Sequence, residues 1–563
     1  MTKGWSLGPI RRLAAAAVAA GIAVTLAGVP VARAAPPDLR LVSDTTYEVR
    51  PADGVVHVTV EGRATSYKAD SGGTTYYYPS VRMLIFAGAI HLAATAAGAR
   101  ADITVVDTQD YQELIEVSLN RNVYYRQTGS FRLEYDLPTG SAGGDVRVGI
   151  TLAAFPVWAV GSSQTPGGSV AIALPRGFQL DLQGGDLPDP EAGPDGGHVY
   201  RWTDIPDPDA FWLFATADQA TITDSTYREF TGQVAVGSRP VDVVVKAWSD
   251  DESWGTRTLD RITQGLPVLG DLIGVRYFGT SRLIVIETVS RSINGYAGIF
   301  DNSQPVDEIQ VAYDADDTVT LHEAAHAWFN GSLSSDRWVL EGFASYYGAQ
   351  AAKRLGIQPE TFALTDELRA AAFPLAEWGY PGVESQDREL YAYGASLEVA
   401  RELAGRAGNA GLAEVFSAMA DDEAAYQPLD ASSPDVSYAH TSNWHYLLDL
   451  LEERTGRTYD DILREWVVSP DDTRLLDERS QARDDYAAFV SRLDGWQIPE
   501  PLRRQMNAWS FGAAEESITQ ASSVLEARVI LEDRASQLGV DLPLDSVRAG
   551  FEGSRMQEAA SLE

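Results

Sequence analysis

Between about Leu39 and Gly237 apolar residues alternate with polar ones, and beyond Gly342 they recur every three or four positions. A period of two sends successive side chains to opposite faces of a strand, whereas a period near 3.6 gathers them on one stripe of a helix. The chain must therefore fold in blocks of different kind. In the first block Val56, Val58 and Val60 alternate with His57 and Thr59, and Phe131, Leu133, Tyr135 and Leu137 alternate with Arg132, Glu134 and Asp136. Val146, Val148, Ile150 and Leu152 resume the rhythm after the turn-rich PTGSAGG. These are half-buried antiparallel strands joined by hairpins, so residues 39–237 are expected to form an N-terminal β-sandwich-like domain. DLQGGDLPDPEAGPDGGH is a long acidic surface loop within it.

At Arg239-Pro240 the character changes. VDVVVKAW and RLIVIETV are short runs rich in β-branched residues, separated by TRTLDRITQGLPVLGDLIG, a helical stretch with a break expected at Pro267. EIQVAY is a third such run. Strands alternating with helices predict a mixed α/β lobe over residues 238–470. YGASLEVARELAG, LAEVFSAMADD, NWHYLLDLLEERTG and YDDILREWVVS follow as helices. Beyond Pro470 the helical faces become more polar, which sets residues 471–563 apart as a separate helical region, with the final RMQEAASLE frayed. The whole reads as a multidomain α+β chain.

With 563 residues, two to four domains are expected, and an apolar content of 45% excludes global disorder. A formal charge of -36 argues against nucleic acid and anionic membrane surfaces as partners, since both repel an acidic chain. Lys3, Arg11 and Arg12 lead into LAAAAVAAGIAVTLAGVPV and then Ala32-Arg33-Ala34, the pattern of an export signal cleaved after Ala34. Residues 1–34 are thus expected to direct the protein to secretion or the cell surface. An uncleaved anchor is the rival, because Leu13 to Val31 is just long enough to span a bilayer. The flanks of Arg11-Arg12 match a twin-arginine signal poorly. There is no cysteine, so the cores alone hold the fold and no thiolate metal site is possible.

The stretch from Thr318 to Gln350 carries the chemistry. His322, Glu323 and His326 form an H-E-x-x-H pattern, and residues four apart on a helix share a face, so both imidazoles can converge on one ion with the glutamate beside it. A catalytic zinc takes three protein ligands and keeps a fourth position open. Glu341, which opens the helical EGFASYYGAQAAKRLG, can be the third ligand if SLSSD turns the chain back, with Ser334, Ser335 and Asp336 as cap formers. Asp314, Asp316 and Asp317 ahead of the first helix suit capping and dipole compensation. One zinc per chain on His322, His326 and Glu341 would acidify its water, and Glu323 would take that water's proton as general base. A hydroxyl donor for the oxyanion is then needed, and composition does not choose among 24 tyrosines.

HEAAHAWFNG followed by WVLEGFASYY resembles the aminopeptidase N family of zinc peptidases, the gluzincins, with Trp328, Phe329, Trp338, Gly342, Phe343 and Ala344 in matching places. Fourteen residues separate His326 from Glu341, fewer than the family's usual spacing, and the shortening falls in NGSLSSD. Tyr391-Ala392-Tyr393-Gly394-Ala395 resembles the family's Y-x-K-G-A segment, which implies Tyr391 as the oxyanion donor; Tyr393 stands where the family has Lys. Gly298-Ile299-Phe300-Asp301-Asn302 resembles G-A-M-E-N, which implies that Gly298 and Asp301 bind the substrate's free amino end. Aspartate is one methylene shorter than the family's glutamate. The resemblance implies a thermolysin-like catalytic lobe, a peptide or protein substrate, and hydrolysis from the amino end. An endopeptidase on the same scaffold is the near alternative, and a non-catalytic surface-binding module is the distant one. His440 and His445 flank a helix start and read as packing or capping groups; His57, His91 and His198 lie in the β domain without a chemical signal.

Overall fold

The computed structural model describes residues 2–3, 38–109, 111–183, 187–219, 226–293, 295–359, 364–380, 383–436, 442–470 and 472–553. Most of the expected export signal with its cleavage position, part of the acidic loop, His440 and RMQEAASLE lie outside them. The chain divides into two compact units, one formed by residues 20–228 and 248–252, the other by 1–19, 229–247 and 253–563.

The described part of the first unit is built mainly of β-strands. Strands β1 (Leu39–Arg50), β2 (Val55–Ser66), β3 (Ile90–Ala96) and β4 (Thr128–Pro138) lie side by side in the order β1-β2-β4-β3 within its largest sheet. The period of two sets the register: Tyr47 lies opposite Val58, which lies opposite Tyr135, and all three are buried on one face. His57 and Asp136 form the outward pair of the same ladder, bonded at 2.7 Å, and His91 meets the other oxygen of Asp136 at 2.9 Å. The sheet is not purely antiparallel, because Ser169–Leu174 joins β1 in parallel. Such a pair needs a long crossover, and hairpin spacing alone does not reveal it.

The second unit is built on the sheet β5-β6-β7-β9-β8, with β5 at Tyr227–Val236, β6 at Arg239–Trp248, β7 at Arg282–Thr288, β8 at Gly298–Asp301 and β9 at Asp307–Ala312. β6, β7 and β9 are parallel and β8 is antiparallel to β9. Helix α1 (Glu252–Ile273) connects β6 to β7 and buries Trp254, Ile262, Leu266, Leu269 and Ile273. It runs through Pro267 without a break, contrary to the sequence expectation. Only the bond that residue 267 would donate to Thr263 is forgone, and the buried stripe on either side holds the helix together.

Helices α2 (Asp317–Ala325), α3 (Arg337–Arg354), α4 (Gln386–Ala420) and α5 (Trp444–Thr455) follow. Within α4, Gly408 at φ 74° marks the glycine break expected between YGASLEVARELAG and LAEVFSAMADD. The division expected near residue 470 does not separate the packing. Leu476, Phe489, Leu502, Met506, Phe511 and Phe551 belong to the same hydrophobic core as β6, α2 and α5. Arg479, fully buried on helix α6 (Thr473–Val490), bonds Asp449 at 2.7 Å and Glu452 at 2.8 Å on α5. The polar face that suggested a separate region is thus partly an internal charge network. No helix among the described residues is long and apolar enough to cross a membrane.

Candidate metal centre

Helix α2 begins at Asp316, whose carboxylate accepts from the N–H groups of Thr318 at 2.6 Å and Val319 at 3.2 Å. Asp317 pairs with Arg261 of α1 at 2.6 Å, so these acids cap and anchor, as their position suggested. From Val319 to Ala325 every residue of α2 is buried, which makes it a central helix rather than an amphipathic one. It ends at His326, beyond which the backbone tightens: His326 N–H bonds Glu323 at 3.2 Å, and the Asn330 amide donates to the His326 carbonyl at 2.9 Å.

The linker between α2 and α3 is short but firmly fastened. Asp336 occupies the position before α3 yet makes no capping bond; its carboxylate accepts from the Trp444 N–H at the start of α5. The Ser335 N–H and the Ser334 hydroxyl both reach the Ser442 carbonyl, at 2.6 and 3.1 Å. SLSSD thus ties the turn to α5, whereas the sequence suggested a cap for α3. The fastening lets α3 lie very close to α2. A Cβ at Gly348 would stand 3.1 Å from the backbone of His322, so the absence of a side chain there permits the crossing.

The crossing brings three ligand-type atoms together. His322 Nε2 and His326 Nε2 are 3.2 Å apart, and Glu341 Oε2 lies 3.4 Å from the first and 3.6 Å from the second. Zinc–ligand bonds of about 2.0–2.1 Å in a tetrahedron put neighbouring ligand atoms about 3.3 Å apart. Among the described residues this is the group of three with metal-ligand geometry. The hydrogen bonds behind the rings agree. His326 Nδ1 lies 2.7 Å from the Phe329 carbonyl, which can only accept, so Nδ1 carries the proton. Ser345 spends its hydroxyl proton on the Glu341 carbonyl at 2.7 Å and so accepts from His322 Nδ1 at 3.2 Å. Both Nε2 lone pairs then face inward toward a carboxylate, an arrangement that a dication stabilises. The residues present fit zinc.

Electrostatics divide the two glutamates. Burial pushes Glu323 up to about 8, with Glu341 adding to the rise, and neither of its oxygens has a hydrogen-bond partner. Burial also acts against ionised Glu341, but the two imidazoles facing it outweigh burial and hold it at about 2. Burial thus favours the neutral form of Glu323, and the facing imidazoles favour the ionised form of Glu341. Burial lowers His322 to about 4. His326, equally buried, is lifted to about 9 by Glu341 and Glu323, and a cation held there would take the place of that proton.

Gly298 on β8 stands directly against the general-base candidate. A Cβ there would lie 2.6 Å from Glu323 Oε1, closer than any real side chain comes. Two residues on, Phe300 stacks on His326 with centroids 6.2 Å apart. Because side chains alternate along a strand, Asp301 belongs to the other face. Its carboxylate accepts from the Ser303 N–H at 2.8 Å. The structure therefore brings Gly298, and not Asp301, to the centre.

Tyr391, on α4, is buried. It packs on Phe373 at 5.9 Å, and the charges around it are Arg369 and Glu465. Tyr393 lies about 200° round α4 from it. Its hydroxyl accepts from Arg337 at 3.0 Å, and its charged neighbours include Glu341. Tyr296, half-buried and in phase with Gly298 and Phe300, also feels Glu389, Arg337 and Glu341. The sequence reading missed Tyr296, Arg337 and Ser345. Arg337 and Ser345 lie one helical turn either side of Glu341, a spacing that could have flagged them. His445 stacks on Trp509 at 3.9 Å and 18°, a packing role as expected.

No protein-family model matches the chain, and no curated protein matches it. Among solved structures, an M1 zinc metallopeptidase from Deinococcus radiodurans is similar over 77% of this chain and 96% of its own, at 16% identity and a TM-score of 0.29. A two-domain M1 zinc metallopeptidase mutant bound to L-arginine is similar over 77% and 94%, at 16% identity and a TM-score of 0.30. At such scores the chain paths superpose only loosely, and what the centre can do follows from its own residues.

Proposed function

We propose that this protein is an exported zinc-dependent metallopeptidase, secreted or held at the cell surface, that hydrolyses peptide bonds. The convergence of His322 Nε2, His326 Nε2 and Glu341 Oε2 at 3.2–3.6 Å carries the reading. Zinc held by these three would supply Lewis-acid chemistry, polarising a peptide carbonyl and acidifying water. Glu323 accepts a proton from the attacking water and returns it to the leaving amine, and its elevated affinity for protons suits both halves of that task. Gly298 lets the backbone of β8 come close against the Glu323 side chain. The developing oxyanion needs a donor; the resemblance implies Tyr391, and Tyr296 and Tyr393, which have Glu341 among their charged neighbours, are the alternatives.

Action from the amino end is the form this reading takes in the resembling family. The engagement of Asp301 with Ser303 favours a second form, an endopeptidase, because the carboxylate expected to pair with a free ammonium has another partner. A screen of free and N-acetylated peptides, run with and without a zinc chelator, tests both. Cleavage that stops with the chelator supports the peptidase reading. Loss of cleavage on acetylation, together with a loss in Asp301→Ala, assigns aminopeptidase action. Indifference to both assigns endopeptidase action, and absence of any chelator-sensitive cleavage rejects the enzyme.

A further inference from the structure

Arg337 lies one helical turn before Glu341 on α3, and its guanidinium is held by several named groups, with Tyr296 also within its reach. Nη1 donates to the Gly379 carbonyl at 3.3 Å and to Glu389 Oε1 at 2.9 Å. Nη2 donates to Glu389 Oε2 at 2.9 Å and to the Tyr393 hydroxyl at 3.0 Å. The guanidinium carbon also lies over Trp378, 4.0 Å from the ring centroid, and the residue is only 9% exposed. A fork held by these bonds and set over a ring has little freedom left.

The Nε–H group has no hydrogen-bond partner and faces Glu341 Oε1 at 4.0 Å, an oxygen that is buried and equally without one. The other oxygen of that carboxylate, Oε2, is the one that faces both imidazoles. We infer that Arg337 is a positioning residue for the metal: the charge of its guanidinium, with Nε 4.0 Å from Glu341 Oε1, draws that oxygen to its side, which leaves Oε2 as the single ligating oxygen aimed between His322 and His326. The inference rests on the zinc reading above and adds a residue to it. Glu389 neutralises the guanidinium, so a fixed cation can sit beside the centre without repelling a dication. An arginine is needed because the nitrogen that faces Glu341 lies on the stem of the side chain, while the terminal nitrogens are occupied elsewhere.

Zinc(II) affinity by chelator competition and the visible spectrum of the cobalt(II)-substituted protein test this in the full chain. Arg337→Lys is the informative variant, since it keeps a charge for Glu389 and removes the nitrogen that faces Glu341. The expected result is zinc binding weakened about 10- to 100-fold, the usual effect of removing a group that orients a ligand. The cobalt spectrum should change as Glu341 gains freedom to turn. Arg337→Met with Glu389→Gln removes the pair together and should give the same loss, whereas Glu389→Gln alone should bind zinc within a few-fold of wild type. Near-UV circular dichroism of the metal-free proteins separates loss of positioning from loss of fold. Zinc affinity within threefold of wild type in folded Arg337→Lys, with an unchanged cobalt spectrum, overturns the inference. Failure of the wild type itself to bind zinc overturns the zinc reading along with it.

Discussion

Gly298 and Glu323 form the tightest juxtaposition in the centre, because a strand backbone and a buried carboxylate share a space with no room for a methyl group. Gly298→Ala should therefore reduce turnover by about 10-fold or more through displacement of the Glu323 side chain, with little change in bound zinc. Turnover measured beside metal content decides it, and an unchanged rate would show that the carboxylate has slack. His445 bears on stability. Burial against Trp444 and Trp509 holds its ring down at about 4, below its ordinary value near 6.5. The unfolded chain then binds the extra proton between those values, so stability is full above about pH 6.5 and is lost as pH falls toward 4. The loss should reach about 2 kcal/mol once partial solvent contact is allowed for. Urea unfolding of wild type against His445→Gln across that window measures it, and equal slopes would refute it. At this scale the sequence was uneven as a guide. Spacing alone put His322, Glu323 and His326 on one helical face, but Tyr391 and Asp301 were named by position in a motif. Which side of α4 or β8 faces the centre is set by packing, and a motif does not encode that.

Among the elements, α2 and α3 were readable because each carries its own signal: an acidic cap followed by an apolar run, then the glutamate beginning a second helical period. How closely they cross was not readable. It depends on Gly348 against the His322 backbone and on a linker fastened to α5 by bonds that span 108 residues. The parallel strand in the first unit and the continuity of α1 through Pro267 escaped for the same reason, since tertiary packing overrides local preference. Helix α6 gives a test at this scale. Arg479 is enclosed by Asp449 and Glu452, and Arg479→Met leaves the buried Asp449 carboxylate without its cation, while Glu452 keeps Arg483 at 3.1 Å. That should destabilise the second unit by about 3–5 kcal/mol. A change below about 1 kcal/mol in chemical denaturation would mean that α6 packs independently, as its polar faces had suggested.

The molecule as a whole divides into two compact units, and the candidate ligands all lie in one of them. Metal binding should therefore act on one unfolding transition. With zinc at about 1,000 times its dissociation constant the gain is about 4 kcal/mol, and calorimetry should show the transition of the unit carrying His322 rise while that of the β unit stays in place. If both transitions move together, the units unfold as one. The period change near residue 240 reflects the different hydrophobic spacing that strands and helices need. The further break expected near residue 470 did not appear, because the polar faces of the last helices partly face one another rather than solvent.

The most direct test of the account compares wild type with Glu323→Gln, measuring zinc content by mass spectrometry and peptide hydrolysis on the same samples. The account predicts about one zinc per chain in both proteins, with hydrolysis reduced about 10²- to 10⁴-fold in the variant. A zinc-loaded wild type that cleaves no peptide, or a variant that cleaves as fast as wild type, would contradict it.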